Sequence, residues 1–339
     1  MENLLTQLCS CYTVSGSELE NISLIKELLP QNADVESDHN GNIIATIGNK
    51  DSNDVILLDA HNDRIGFVVT YIDDKGFIKV ANCGGIDRRV LLGSEVTILG
   101  KKTLRGIVCC LPPHLSDGGE DKAPKADLIY IDTGLTKQQV MQYVSLGDKI
   151  AVYAKPKKLL DTRFSASGLD NKAGVAALIK TAHLLSKQNI KSCVKILFSS
   201  QEETGFLGSR TAGFALAPNC SIVVDVSFAS QPGVAEDKCG VMSKGPMIGT
   251  APILDKTMFK EIKVIAEKNN IPYQTEVMNG TTGTNADAIT TTKSGVKTAL
   301  VSIPLKNMHT QAEVIDTQDI ENTAKLISLY IAERGVVNE

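Results

Sequence analysis

The strongest constraint on the fold is a set of short, near-continuous apolar runs that alternate with helical patterns. DVILLDAH (54–61) and SIVVDVS (221–227) show little alternation between apolar and polar residues. A strand of that kind has both faces covered, as in a parallel sheet between helical layers. VKILFSS (194–200), PYQTEVM (272–278) and VKTALVSIP (296–304) add further strands. Helical spacing of apolar residues occupies 18–29, 169–188, 255–270, 285–295 and 317–334, with a short helical patch after Gly205. Of these, LDNKAGVAALIKTAHLLSKQ (169–188) reads as a strongly amphipathic helix. The expected class is α/β, with a mixed, largely parallel sheet flanked by helices.

Residues 65–156 break this rhythm. FVVTYI, GFIKVA, SEVTILG, LRGIVCCL, DLIYID and KIAVYA are β-like segments separated by turn signals such as Asp73-Asp74-Lys75-Gly76. One helical stretch, TKQQVMQYVSLG, interrupts them, and the polar segment 114–126 reads as an exposed loop. The expected organisation is a domain made of 1–64 and 157–339, interrupted by a β-rich, barrel-like insertion at 65–156.

With 35 basic and 39 acidic residues the net charge is -4, so no basic excess calls for nucleic acid or an anionic membrane as partner. No run approaches 18 apolar residues, and the N-terminus lacks the basic region of a signal peptide. None of the eight cysteines forms a C-x-x-C pair. The expectation is a cytoplasmic protein with inert thiols.

Five polar clusters fall where strands are expected to end, the region in which α/β sheets gather functional groups. His61, after VILLD, is either a hydrogen-bonded structural histidine or a metal ligand, with Asp63 two residues on to fix its tautomer. Asp170 opens a helix and serves as a cap or a ligand. Glu202 and Glu203 leave a buried strand side by side, which is costly without a cation. Asp225, inside IVVDVS, requires a salt bridge or a metal. His309 follows the last strand. Together, two histidines, two aspartates and one glutamate offer five N/O donors, a set suited to two zinc-like ions sharing a carboxylate. Glu202 is then free to shuttle a proton.

The motifs AHNDRIGFVV, GGIDRRVLLG, LDNKAGVAAL, SSQEETGFLGSR, VVDVS, SKGPMIG, GTNADAI and SIPLKNMHTQAEV, in this order, resemble the TET-type (tetrahedral) dinuclear metallo-aminopeptidases. That family includes glutamyl and deblocking aminopeptidases and members described as cellulases. The resemblance covers nearly the whole chain. It implies that His61 and Asp225 hold one divalent ion, Glu203 and His309 the other, and that Asp170 bridges them. Zinc is the first expectation, with cobalt or manganese as alternatives. It further implies Glu202 as general base and acid, Asp63 orienting His61, a cis peptide after Asp170, peptide substrates, and an insertion that dimerises within a hollow dodecamer. Two positions depart from the family pattern: Arg64, where an acid is common, and Lys306-Asn307, where Arg-Tyr is common. Arg64 is expected either to favour acidic N-terminal residues or to pair with a surface acid. The alternatives to an aminopeptidase are a glycan hydrolase and a non-catalytic assembly protein.

Overall fold

The computed structural model describes residues 1–111, 123 and 128–334. Apart from residue 123, the polar segment 114–126 lies outside these. The chain opens with α1 (Glu2–Cys9) and α2 (Ile22–Leu28), then β1 (Asp34–Ser37), β2 (Ile43–Gly48) and β3 (Val55–His61). Next come β4 (Gly66–Ile72), β5 (Ile78–Cys83), β6 (Glu95–Leu99), β7 (Thr103–Val108), β8 (Tyr130–Asp132), α3 (Lys137–Tyr143) and β9 (Lys149–Val152). The third stretch runs β10 (Lys157–Lys158), β11 (Arg163–Ala166), α4 (Leu169–Leu185), β12 (Cys193–Ser199), α5 (Leu207–Leu216) and β13 (Cys220–Phe228). It ends with β14 (Met247–Thr250), α6 (Lys256–Lys268), β15 (Gln274–Val277), α7 (Asn285–Thr290), β16 (Lys297–Lys306), β17 (Glu313–Asp316) and α8 (Thr317–Glu333).

One large sheet runs β1-β2-β12-β3-β13-β16-β17-β11-β10, with β14 pairing β16 and β15. Its centre, β12-β3-β13-β16, is parallel, and the outer strands β1, β2, β17, β11 and β10 pair antiparallel. Both faces are covered, as the apolar runs require. Ile56, Leu58, Phe198, Ile222 and Val301 pack under α1, α4, α6 and α8. Leu57, Leu197, Val223 and Leu300, one residue out of phase, pack against α5 and α7. This is the period-2 alternation of a strand with two buried faces. The segment 65–156 contributes the six strands of a separate closed barrel, β4-β5-β8-β7-β6-β9, with its own apolar core. Among the described residues, no helix is long and apolar enough to cross a membrane.

α4 differs from its sequence reading. It is not amphipathic over its first turns, because every residue from Leu169 to Ile179 is buried. A helix that is covered all round lies inside the protein. Its small residues, Ala173, Gly174, Ala176 and Ala177, let it nest between α1, α8 and the sheet. α1, β10, β11, β14 and β17 are elements that sequence periodicity does not reveal. All five are short, and a strand of two to four residues carries too few positions to show a period.

Candidate active site

The central strands separate at their carboxyl ends. β3 pairs with β12 through His61, but with β13 only as far as Asp59–Val223. Beyond that point a crevice opens, the usual location for ligands in such sheets. Asp225 lies past the last β3–β13 pair, inside a strand that continues to Phe228. The sequence reading put Asp225 at a strand end. The structure corrects this: the strand continues, and it is the loss of the β3 neighbour that exposes Asp225 to the crevice. His61 and Asp225 share the sheet face that carries Leu57 and Val223, an even number of positions along each strand (four and two).

Asp170 does not cap α4. The backbone is non-helical at Asp170 and Asn171, and the peptide between them is cis. Asn171 takes the capping role: its Oδ1 accepts the Gly174 N–H at 3.0 Å and its Nδ2 donates to the Val224 carbonyl at 2.9 Å. That leaves the Asp170 carboxylate free. Its Oδ1 lies 3.1 Å from His61 Nε2, and its Oδ2 lies 3.2 Å from His309 Nε2. Asp225 Oδ1 is 3.6 Å from His61 Nε2, and Glu203 Oε1 is 3.5 Å from His309 Nε2. Glu202 Oε2 sits 4.0 Å from His61 Nε2. Among the described residues, His61, Asp170 and Asp225 form one group with all ligand atoms within 4.8 Å, and Asp170, Glu203 and His309 form another. A third group joins His61, Glu202 and Glu203.

Both histidines are oriented from behind. His61 Nδ1 lies 3.2 Å from the Asp63 carbonyl and 3.4 Å from Asp63 Oδ1. The Asp63 carboxylate does more than face the imidazole. It accepts the backbone N–H of Glu202 at 3.0 Å and of Glu203 at 3.2 Å, and the Ser15 hydroxyl at 2.6 Å. Glu18 accepts the next amide along, Gln201 N–H, at 3.0 Å. The segment before α2 thus holds the Glu202-Glu203 loop in place. His309 Nδ1 donates to the Gly85 carbonyl at 2.7 Å, which turns Nε2 toward Asp170. Gly84 and Gly85 belong to the loop leaving β5, so the barrel reaches into the site. A Cβ on Gly84 (φ +81°) would stand 2.8 Å from Ile65 Cγ2 and 3.1 Å from Glu203 Cβ. Only glycine fits that approach.

The charges are unbalanced. Burial, with repulsion from Asp225, Glu203 and Asp170, pushes Glu202 up to about 9 despite the opposing His61. Burial and Asp170 push Glu203 up to about 8. Burial raises Asp225 as well. Burial alone would lower His61, but Glu202, Asp170, Asp225 and Asp63 raise it well above its ordinary value. Both sets of shifts mean that the site seeks positive charge. Glu203 Oε1 is also buried without a hydrogen-bond partner. Carboxylate oxygens and imidazole nitrogens that converge in this way fit divalent cations.

The cluster forms one wall of a cleft of about 430 Å³, also lined by Phe206, Val226, Phe228, Thr282, Thr284 and Met308. A second cavity of about 490 Å³ shares Phe228 and Met308 with it and is lined by Asn307. Arg64 corrects both expectations held for it. It is 2% exposed, outside the cleft lining, and among the described residues it pairs with no surface acid. Its guanidinium donates to the Val152 carbonyl at 3.3 Å and to Ser167 Oγ. β4 begins two residues after Arg64, and at that exit from the large sheet the side chain lies beside Gly168.

A family model described as M42 glutamyl aminopeptidase matches residues 41–326. The chain is 33% identical to a lysyl aminopeptidase of Pyrococcus furiosus over 329 residues, covering 94% of this chain and 93% of the relative. It is similar in structure to an aminopeptidase from the archaeon Desulfurococcus kamchatkensis, with TM-score 0.91, 29% identity and coverage of 98% and 94%. It also resembles the TET1 peptidase of Pyrococcus horikoshii, which can assemble into a tetrahedron or a large octahedral shell, with TM-score 0.86, 28% identity and coverage of 98% and 99%. With its acidic, histidine-bearing cleft at the crevice of the sheet, the chain belongs to the M42 glutamyl aminopeptidase family of peptidases.

Proposed function

We propose that this aminopeptidase removes N-terminal residues from peptides with two divalent metal ions. The observation that carries this reading is the Asp170 carboxylate, which turns one oxygen to the His61–Asp225 group and the other to the Glu203–His309 group. His61 and Asp225 would hold one ion and Glu203 and His309 the other, with Asp170 facing both groups. The donor set suits zinc, with cobalt or manganese as substitutes. Divalent ions held there would supply Lewis acidity toward the scissile carbonyl and the attacking water. Glu202, at the lip of the cluster, takes the water's proton and hands it to the leaving amine. Asp63 fixes the His61 tautomer and the backbone beneath both glutamates. The apolar side chains Phe206, Phe228 and Met308 flank the substrate and limit water around the reacting bond.

The catalytic body is 1–64 with 157–339, and the insertion 65–156 is the dimerisation domain of a dodecameric shell. Supporting this, the barrel region exposes Tyr71, Leu92, Ile107, Met141 and Leu146, and exposed apolar side chains in number mark a contact surface. Glycan hydrolysis normally relies on two carboxylates alone, and the two histidines facing Asp170 have no role in it.

The test is digestion of a peptide library by metal-reconstituted protein. Stepwise N-terminal loss, abolished by chelation and restored by zinc or cobalt, is expected. Internal cleavage, or full activity in chelator, removes this reading. A monomer in analytical ultracentrifugation of the same sample removes the assembly.

A further inference from the structure

We infer that Glu313 is a positioning residue that sets the spacing between the two metal-holding groups; this rests on the two-metal reading above. Glu313 opens β17, which lies between β16 and β11 in the sheet. Those two strands feed the two sides of the site. β16 leads into Met308 and His309, and β11 leads through Ser167 and Gly168 into Asp170. Glu313 sits directly opposite Ala166 on β11, and the next residue, Val314, sits opposite Lys306 on β16. It is therefore the point where both ligand-bearing segments converge.

Its side chain uses that place. Oε1 accepts the His309 N–H at 3.0 Å, and Oε2 accepts the Asp170 N–H at 3.3 Å. One carboxylate thus ties the backbone of the shared ligand to the backbone of a ligand on one side only. Glu313 is 1% exposed, so no water takes over these bonds. The clamp acts where the chain needs holding: His309 has φ +62°, a left-handed conformation that non-glycine residues adopt only when their surroundings enforce it. A carboxylate is costly beside Asp170. An apolar residue would avoid that cost but would leave two buried N–H groups unpaired. A glutamine has a single acceptor oxygen and would turn an N–H₂ toward the second donor. Two converging donors thus call for two acceptor oxygens on one side chain, which the Glu313 carboxylate supplies.

Glu313→Gln and Glu313→Ala, each loaded with Co²⁺, test this. The readouts are cobalt affinity by titration, the visible Co²⁺ spectrum, kcat and KM on an aminoacyl anilide, and the melting curve of the metal-free protein. Glu313→Gln is expected to weaken cobalt binding by about 10- to 100-fold, the usual effect of removing a group that orients ligands. The spectrum should shift, and kcat should fall more than KM changes. The metal-free protein should still melt cooperatively, at a temperature lowered by the one buried N–H that glutamine leaves unpaired. If Glu313→Ala does not fold, Glu313→Gln decides alone. Wild-type cobalt affinity and spectrum in Glu313→Gln overturn the inference about Glu313. A wild-type protein that binds no cobalt overturns the two-metal reading and this inference together.

Discussion

Replacing Glu202 with alanine lowers kcat by about 10²- to 10⁴-fold, the range that a positioned general acid–base group supplies. On the two-metal reading, the variant keeps the metal content of the wild type. The separation of the two effects follows from where Glu202 stands. Its carboxylate is 4.0 Å from His61, farther than Asp170 or Asp225, and it joins only the third donor cluster. Its backbone N–H, held by Asp63, survives the substitution, so Glu203 keeps its place. Calorimetric metal titration and steady-state kinetics on one preparation check this. Full turnover in the variant would sink the role assigned to Glu202.

On the two-metal reading, Asp170→Ala has the larger effect, because it removes the carboxylate that faces both donor groups. Each group is left with one histidine and one acid, and the shared charge between His61 and His309 is gone. Electrostatic stabilisation by the ions is worth roughly several kcal/mol in the transition state, so turnover falls by at least about 10³-fold. Bound metal, measured by elemental analysis, drops below two per chain. Asn171 continues to cap α4 and donate to Val224, so the helix start is kept. A variant that holds both ions would refute the bridging assignment. The contrast between the variants is the informative part: Glu202→Ala separates turnover from metal content, and Asp170→Ala loses both.

α4 looks amphipathic because Asn171, Lys172 and Lys180 punctuate it, yet Lys172 is fully buried and donates to Thr13 and Asn62. A charged residue on a helix indicates solvent only if no partner awaits it, and the partners here lie more than a hundred residues away. Arg64 misleads for the same reason. Its position beside Asp63 suggests the cleft, but the turn into the barrel carries its side chain the other way. Lys306-Asn307 divides: Asn307 lines the cavity next to the cleft, and Lys306 ends β16 half-buried.

Local patterns alone dictate the α/β class, the barrel-forming character of 65–156 and the residue types placed near the crevice. Periodicity and strand-end position are properties of a few consecutive residues, so they are written in the chain. The tertiary structure alone decides which oxygen of Asp170 faces which histidine. It also brings Ser15 and Glu18 under the Glu202-Glu203 loop, points the Gly85 carbonyl at His309, and makes Glu313 a clamp rather than a surface acid. The physical reason is separation. Each of these bonds joins groups whose proximity depends on sheet order, on a barrel packed against the sheet, or on a strand wedged between two others. A lone Glu in QAEVID carries no local mark of the two amides that converge on it.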